Sequence, residues 1–229
     1  MISILAVKNS HELDDGLYGA FFKLISEERK LRVKKFFRRE DACRCILAEI
    51  IAKYCIVKKC KVRFDAISFK YGEHGKPYIE TPEKIQFSIS HSGAYVVCAI
   101  DKKQIGIDVE RIHDVDMAIA SRFFSAEECA EIFALQENSR KSKFFDFWTI
   151  KESYIKAIGK GLSCPLSSFT IGIGKEHISM KSGNLLPVMF FRQYDIDNHY
   201  KCAVCSSGSE FPEKIEIMTP EILWNSIRV

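Results

Sequence analysis

The 229-residue chain is most easily bounded by what it has little of. It has no long hydrophobic run: Ala94 to Ile100 is seven residues, far short of the roughly 20 that cross a bilayer. A membrane span is therefore excluded as a helix. Only 6 prolines and 12 glycines are present, and no stretch is low-complexity, which rules out collagen-like and linker-dominated chains. The segment Met1-Ile2-Ser3-Ile4-Leu5-Ala6-Val7 lacks a basic leader and cleavage site, so it is expected to be a first strand rather than an export signal. Nine cysteines form an odd set scattered through helical and strand patterns, so reduced thiols and a cytoplasmic protein are expected. Cys202 and Cys205 have C-x-x-C spacing, but no second pair completes four zinc ligands.

Charge of one sign is also nearly lacking overall, since the formal net charge is +4, yet it is unevenly spread. Residues 21–63 hold 14 Lys and Arg against 5 Asp and Glu, which leaves the remainder acidic. The run Arg29 to Arg39 keeps apolar residues at 31, 33, 36 and 37, the pattern of a helix with a solvated charged side. Such a face is either ordinary surface or a binder of polyanions: a polyphosphorylated small molecule, an acidic protein or nucleic acid. No nucleic-acid recognition motif accompanies it.

Periodicity predicts strand 2–7, helices 11–24, 27–36 and 40–57, and strands 66–70, 85–90, 94–100 and 105–110. Helices 116–122, 126–136 and 140–158 follow, then strands 168–173, 177–180, 187–194, 200–206 and 214–218. Turn residues between strands are too close for parallel crossovers, so an α+β fold of two similar halves, residues 1–104 and 105–229, is expected.

Two segments carry the chemistry. Gly106-Ile107-Asp108-Val109-Glu110 puts two carboxylates on one face of a strand, as suits a hard cation. Trp148-Thr149-Ile150-Lys151-Glu152-Ser153-Tyr154-Ile155-Lys156 stacks Trp148, Glu152 and Lys156 one helical turn above another. The bland alternatives are structural ion pairs and an exposed i,i+4 Glu–Lys pair. Glu128 is a third acid, but Ser125 three residues before it also makes a capping box. Gly159-Lys160-Gly161-Leu162 ends the helix and adds a cation, whereas Gly172-Ile173-Gly174-Lys175 lacks P-loop spacing and reads as a hairpin. His91, at a strand end among serines, and Lys76, between Gly75 and Pro77, suit either phosphate or an ordinary turn.

Phe87-Ser88-Ile89-Ser90-His91-Ser92-Gly93, Gly106 to Glu110, Phe123-Phe124-Ser125-Ala126-Glu127-Glu128 and Trp148 to Lys156 recur in that order in one family. With Gly75-Lys76-Pro77 and Arg38 to Arg44, they make the chain resemble the 4′-phosphopantetheinyl transferases of the long, surfactin-synthetase-activating class. The resemblance runs from Arg29 to about Cys205. It implies a pseudo-two-fold fold of two α+β halves with a cleft between them. The implied activity is transfer of the phosphopantetheine arm of coenzyme A to a serine of an acidic apo acyl or peptidyl carrier protein, releasing 3′,5′-ADP. Asp108, Glu110 and Glu128 would then hold Mg²⁺, or Mn²⁺ in its place. Arg29, Arg32, Arg44, Lys76, Ser90, His91 and Lys156 would bind coenzyme A. Glu152 would be the base, Lys156 would meet phosphate charge, and Trp148 would support that helix. A monomer that binds neither nucleic acid nor membrane is implied.

Overall fold

The computed structural model describes residues 1–9, 13–81, 83–182 and 187–227. The first half runs β1 (Ser3–Lys8), α1 (Asp15–Leu24), α2 (Glu27–Val33), α3 (Arg39–Cys60), β2 (Lys70–Tyr71), β3 (Pro77–Tyr78), β4 (Gln86–Ser92) and β5 (Tyr95–Asp101). Then come β6 (Ile105–Arg111), α4 (Ala118–Phe123), α5 (Ala126–Phe133), α6 (Glu137–Ile158), β7 (Phe169–Ile173), β8 (Ile178–Ser182), β9 (Phe190–Tyr194), β10 (Tyr200–Ser206), β11 (Glu216–Met218) and α7 (Pro220–Ile227).

The fold is α+β, with two main sheets, each with a long helix packed on it, and two small two-stranded sheets, β2-β3 and β7-β8, among the described residues. One sheet has the order β11-β1-β5-β4 and carries α3; the other has the order β6-β10-β9 and carries α6. Both helices are 22 residues long and end on a left-handed residue, Lys61 and Gly159. The seven-residue apolar run falls in β5 because that strand is covered on both faces. Val96, Cys98 and Ile100 face the core under α3, while Tyr95, Val97 and Ala99 join Ile105, Ile107 and Val109 in an apolar layer shared by the two sheets. With Ile107 and Val109 committed to that layer, alternation turns Gly106, Asp108 and Glu110 the other way, toward α6 and the junction of the halves. Gly106 is required by the close approach of that helix: a Cβ there would lie 2.0 Å from the Ser153 carbonyl oxygen.

Where β4 meets β6 the halves are joined by side chains. Ser88 Oγ accepts from the Ile107 amide at 3.1 Å, Ser90 Oγ donates to Asp108 Oδ1 at 2.7 Å, and Ser92 Oγ donates to Glu110 Oε2 at 2.7 Å while accepting from the Arg111 amide at 3.0 Å. The halves thus meet along a row of hydroxyls.

Several local expectations change. The division at residue 104 does not describe the chain's end, because β11 pairs in parallel with β1 and Trp224 of α7 packs edge-on against Phe21 at 5.5 Å. The open edge of β1 presents unpaired backbone groups, and β11 fills it. Helix α7 itself had no predicted counterpart. Helix α1 starts at Asp15, capped by Asp14, and positions 11 and 12 of the predicted helix lie outside the described residues. The second predicted helix stops at Val33, with Phe36 and Phe37 beyond it. Strand 66–70 shrinks to β2, preceded by a single 3₁₀ turn at Phe64–Ala66. The nine cysteines are reduced thiols, none of them in a disulfide. Cys202 faces the layer between the sheets and Cys205 the core under α6, so an odd spacing on a strand keeps the two thiols from sharing a metal.

Candidate active site

A cleft of about 460 Å³ opens where the two halves meet, lined from the first half by Arg29, Arg32, Phe36, Tyr71, His74, Lys76 and His91 and from the second by Glu152, Lys156 and Gly159. Helix α6 crosses behind β6, so residues one turn apart on it reach the strand's polar face. Lys156 Nζ donates to Asp108 Oδ1 at 2.6 Å and to Ser90 Oγ at 2.9 Å. Asp108 is buried, and its other oxygen, Oδ2, has no hydrogen-bond partner among the described residues. A buried carboxylate oxygen left bare costs free energy unless a cation or donor arrives. Beside it, burial and then the charge of Asp108 push the Glu110 carboxyl up from 4.5 to about 7. Glu152, on the cleft wall, is raised for the same two reasons, opposed by Lys156. Carboxylates crowded in this way gain from a cation or a shared proton placed between them.

Glu128 does not join them, which corrects its assignment as a third metal ligand. Both its oxygens are in use: Oε2 accepts from the Ser125 amide at 2.8 Å, completing the capping box, and Oε1 accepts from the Ile171 amide at 2.6 Å and Lys151 Nζ at 2.8 Å. The side chain is fully buried inside the second half. Among the described residues no three His, Cys, Asp or Glu side chains are grouped to hold a metal by themselves.

The residues assigned to coenzyme A divide into three kinds. Arg32 and His91 face the cleft as exposed side chains, and desolvation, with the charges of Lys156, Arg44 and Arg32, lowers the His91 pKa and favours its neutral form. Arg29 and Lys76 line it but are already tethered. Arg29 Nε reaches Glu49 Oε2 at 3.3 Å, and Lys76 Nζ donates to the Ile105 and Ala157 carbonyls at 3.1 and 3.0 Å, clasping the two halves. Burial brings Lys76 down to about 8. Ser90 and Arg44 are placed differently from expectation. Ser90 is engaged with Asp108 and Lys156, while Arg44 lies in a neighbouring opening, bonded to Asp41 and the Gly93 carbonyl. Trp148 points away from the cleft, stacking on Phe144 at 5.7 Å and meeting Phe123 edge-on, so it anchors α6 from behind.

Sequence reasoning missed Glu49, Ser92 and Lys151. Glu49 and Lys151 each stand in helical segments buried on almost every side, where an ionic group must find partners. Ser92 continues the alternation of Ser88 and Ser90, the same period that singled out Asp108 and Glu110.

Carboxylates and cations gathered in a cleft between two α+β halves suit an anionic ligand, with or without a cation beside it. Residues 104–205 match the 4′-phosphopantetheinyl transferase superfamily, and residues 15–103 match the 4′-phosphopantetheinyl transferase N-terminal family. The chain is 35% identical to a 4′-phosphopantetheinyl transferase of Bacillus subtilis over 97% of its own length and 100% of the relative's. It is 35% identical to 4′-phosphopantetheinyl transferase Sfp of Bacillus subtilis (strain 168), covering 89% and 91% of the two chains. To 4′-phosphopantetheinyl transferase gsp of Aneurinibacillus migulanus it is 36% identical, covering 90% and 86%. The chain belongs to the 4′-phosphopantetheinyl transferase family. It is a transferase of the phosphopantetheine group.

Proposed function

We propose that the chain takes the 4′-phosphopantetheine arm from coenzyme A, with a divalent cation bound, and places it on a serine of an acidic apo carrier protein. The observation that carries this reading is the bare Oδ2 of Asp108 beside Lys156 at the end of a cleft lined by Arg32 and His91. Asp108 and Glu110 fit Mg²⁺ or Mn²⁺, because they offer hard oxygen donors and Mg²⁺ is commonly held by one or two carboxylates plus substrate phosphates. When bound, the cation would neutralise charge on the pyrophosphate.

The chain's own residues supply the rest. Lys156 has three N–H donors and spends two on Asp108 and Ser90, leaving one for a phosphate oxygen. Glu152 accepts the proton of the carrier serine as the serine oxygen bonds to the β-phosphorus, and the bond from that phosphorus to the bridging oxygen breaks to release 3′,5′-ADP. Burial raises its basicity toward that task. Arg32 and His91 sit where the nucleotide's phosphates would lie, and Arg29 and Lys76 close the floor. Because one chain supplies both walls, a monomer suffices.

The test is to incubate the protein with coenzyme A, Mg²⁺ and a panel of apo carrier proteins, and to weigh the carriers by mass spectrometry. A gain of one phosphopantetheine, lost on chelation, is expected. Failure with every carrier would sink the reading.

A further inference from the structure

We propose that Ser92 and Ser90 are positioning residues that set the Asp108–Glu110 pair for its cation, so that the seam between the halves is also the outer shell of the metal site. This rests on the cation reading above. Three serines at alternate positions of β4 face β6, but they do different things. Ser88 bonds a backbone amide, that of Ile107, and no carboxylate among the described residues. Ser90 donates to Asp108 Oδ1, and because Lys156 donates to the same oxygen, Oδ2 is left as the free atom. Ser92 is fixed at both ends: the Arg111 amide donates to its Oγ, which orients the hydroxyl hydrogen onto Glu110 Oε2.

The consequence is geometric. A carboxylate at a strand end rotates freely about two side-chain bonds unless one oxygen is held, and a small hexacoordinate cation tolerates little misplacement. Ser90 and Ser92 each hold one oxygen and leave the other for coordination. The serines come from the first half and the carboxylates from the second, so neither half presents the pair in order by itself. Outer-shell partners of metal ligands typically change affinity by about 10–100-fold when removed.

The experiment titrates the full-length protein with Mn²⁺ in the presence of coenzyme A, following free Mn²⁺ by electron paramagnetic resonance, beside thermal melts of each variant. Ser92→Ala is expected to weaken Mn²⁺ about tenfold or more. In the transfer assay it should raise the Mg²⁺ concentration for half-maximal rate by a similar factor, with kcat at saturating Mg²⁺ falling much less. Ser92→Thr, which keeps the hydroxyl, should recover most of the affinity. Ser90→Ala should behave as Ser92→Ala does. Ser88→Ala removes a seam bond that touches no carboxylate, so it should lower the melting temperature while leaving Mn²⁺ affinity within about threefold, well short of the outer-shell range. Equal losses of Mn²⁺ affinity in all three alanine variants would show the serines acting through the seam alone and would overturn the proposal. So would unchanged affinity in folded Ser92→Ala and Ser90→Ala. If the unaltered protein itself takes up no Mn²⁺, the cation reading fails first, a distinct result.

Discussion

Of the four lysines of helix α6, Lys151 and Lys156 stand five residues apart toward its C-terminal end, each facing a buried carboxylate from another element, and the two pairs have opposite fates. Lys151 spends all three donors, on Glu128 at 2.8 Å and on the Leu166 and Phe169 carbonyls at 2.8 and 2.5 Å, and Glu128 has every oxygen occupied. Both side chains are 0% exposed. Lys156 meets Asp108 at 2.6 Å but remains 30% exposed, and Asp108 keeps one oxygen bare. A closed pair has nothing left to bind with and serves the fold. An open pair, held in place but incompletely satisfied, has capacity for a ligand. Polar satisfaction, rather than burial or charge, separates the saturated acid Glu128 from Asp108 with its bare oxygen.

The comparison breaks most readily at Glu152, on the open side. Glu152→Gln removes the proton acceptor and keeps the shape, so kcat should fall by about 10²–10⁴-fold while coenzyme A binding changes little. Single-turnover transfer rates beside calorimetric binding would check both; near-normal turnover would remove the residue's role. On the closed side the loss should appear in folding. Glu128→Ala leaves Lys151 buried without its carboxylate and should destabilise by about 3–5 kcal/mol, read by urea denaturation. The double change Glu128→Gln with Lys151→Met should recover part of that, because it leaves no lone charge. Mn²⁺ affinity of the folded Glu128 variants should match the unaltered protein. A stable Glu128→Gln protein that no longer binds Mn²⁺ would return that residue to the metal site.

Much of this was readable from period alone. Asp108 and Glu110 were singled out because a strand alternates, and Glu152 and Lys156 because a helix repeats; neither inference needs a tertiary contact. Glu128 was readable as a cap from Ser125, and family likeness drew it toward the metal, yet its occupancy depends on Lys151 and Ile171, both outside its own helix. The reassignment of Ser90 and Arg44 has the same cause, for their partners lie 18 and 49 residues away. The return of β11 to β1 escaped notice because a three-residue strand on a sheet edge carries almost no pattern.

The smallest test concerns Glu110, where the open site should leave a trace in stability before any substrate is added. The folded, metal-free protein holds this carboxyl at about 7 against an ordinary 4.5, through burial and the charge of Asp108. Between those values the folded state keeps a proton that the unfolded chain has released. Its contribution is therefore fully present below pH 4.5 and is lost as pH rises to about 7. With partial exposure allowed for, the change should be about 1 kcal/mol over the window. Glu110→Gln cannot titrate, so its stability should lack that fall when melts of the chelated proteins are compared from pH 4.5 to 7. Adding Mg²⁺ should favour the ionised carboxylate and flatten the unaltered protein's curve toward the variant's, because a cation beside Glu110 offsets the charge that Asp108 imposes. A curve indifferent to Mg²⁺ would separate Glu110 from the cation while leaving its coupling to Asp108 intact, and the open pair would then rest on Asp108 and Lys156 alone.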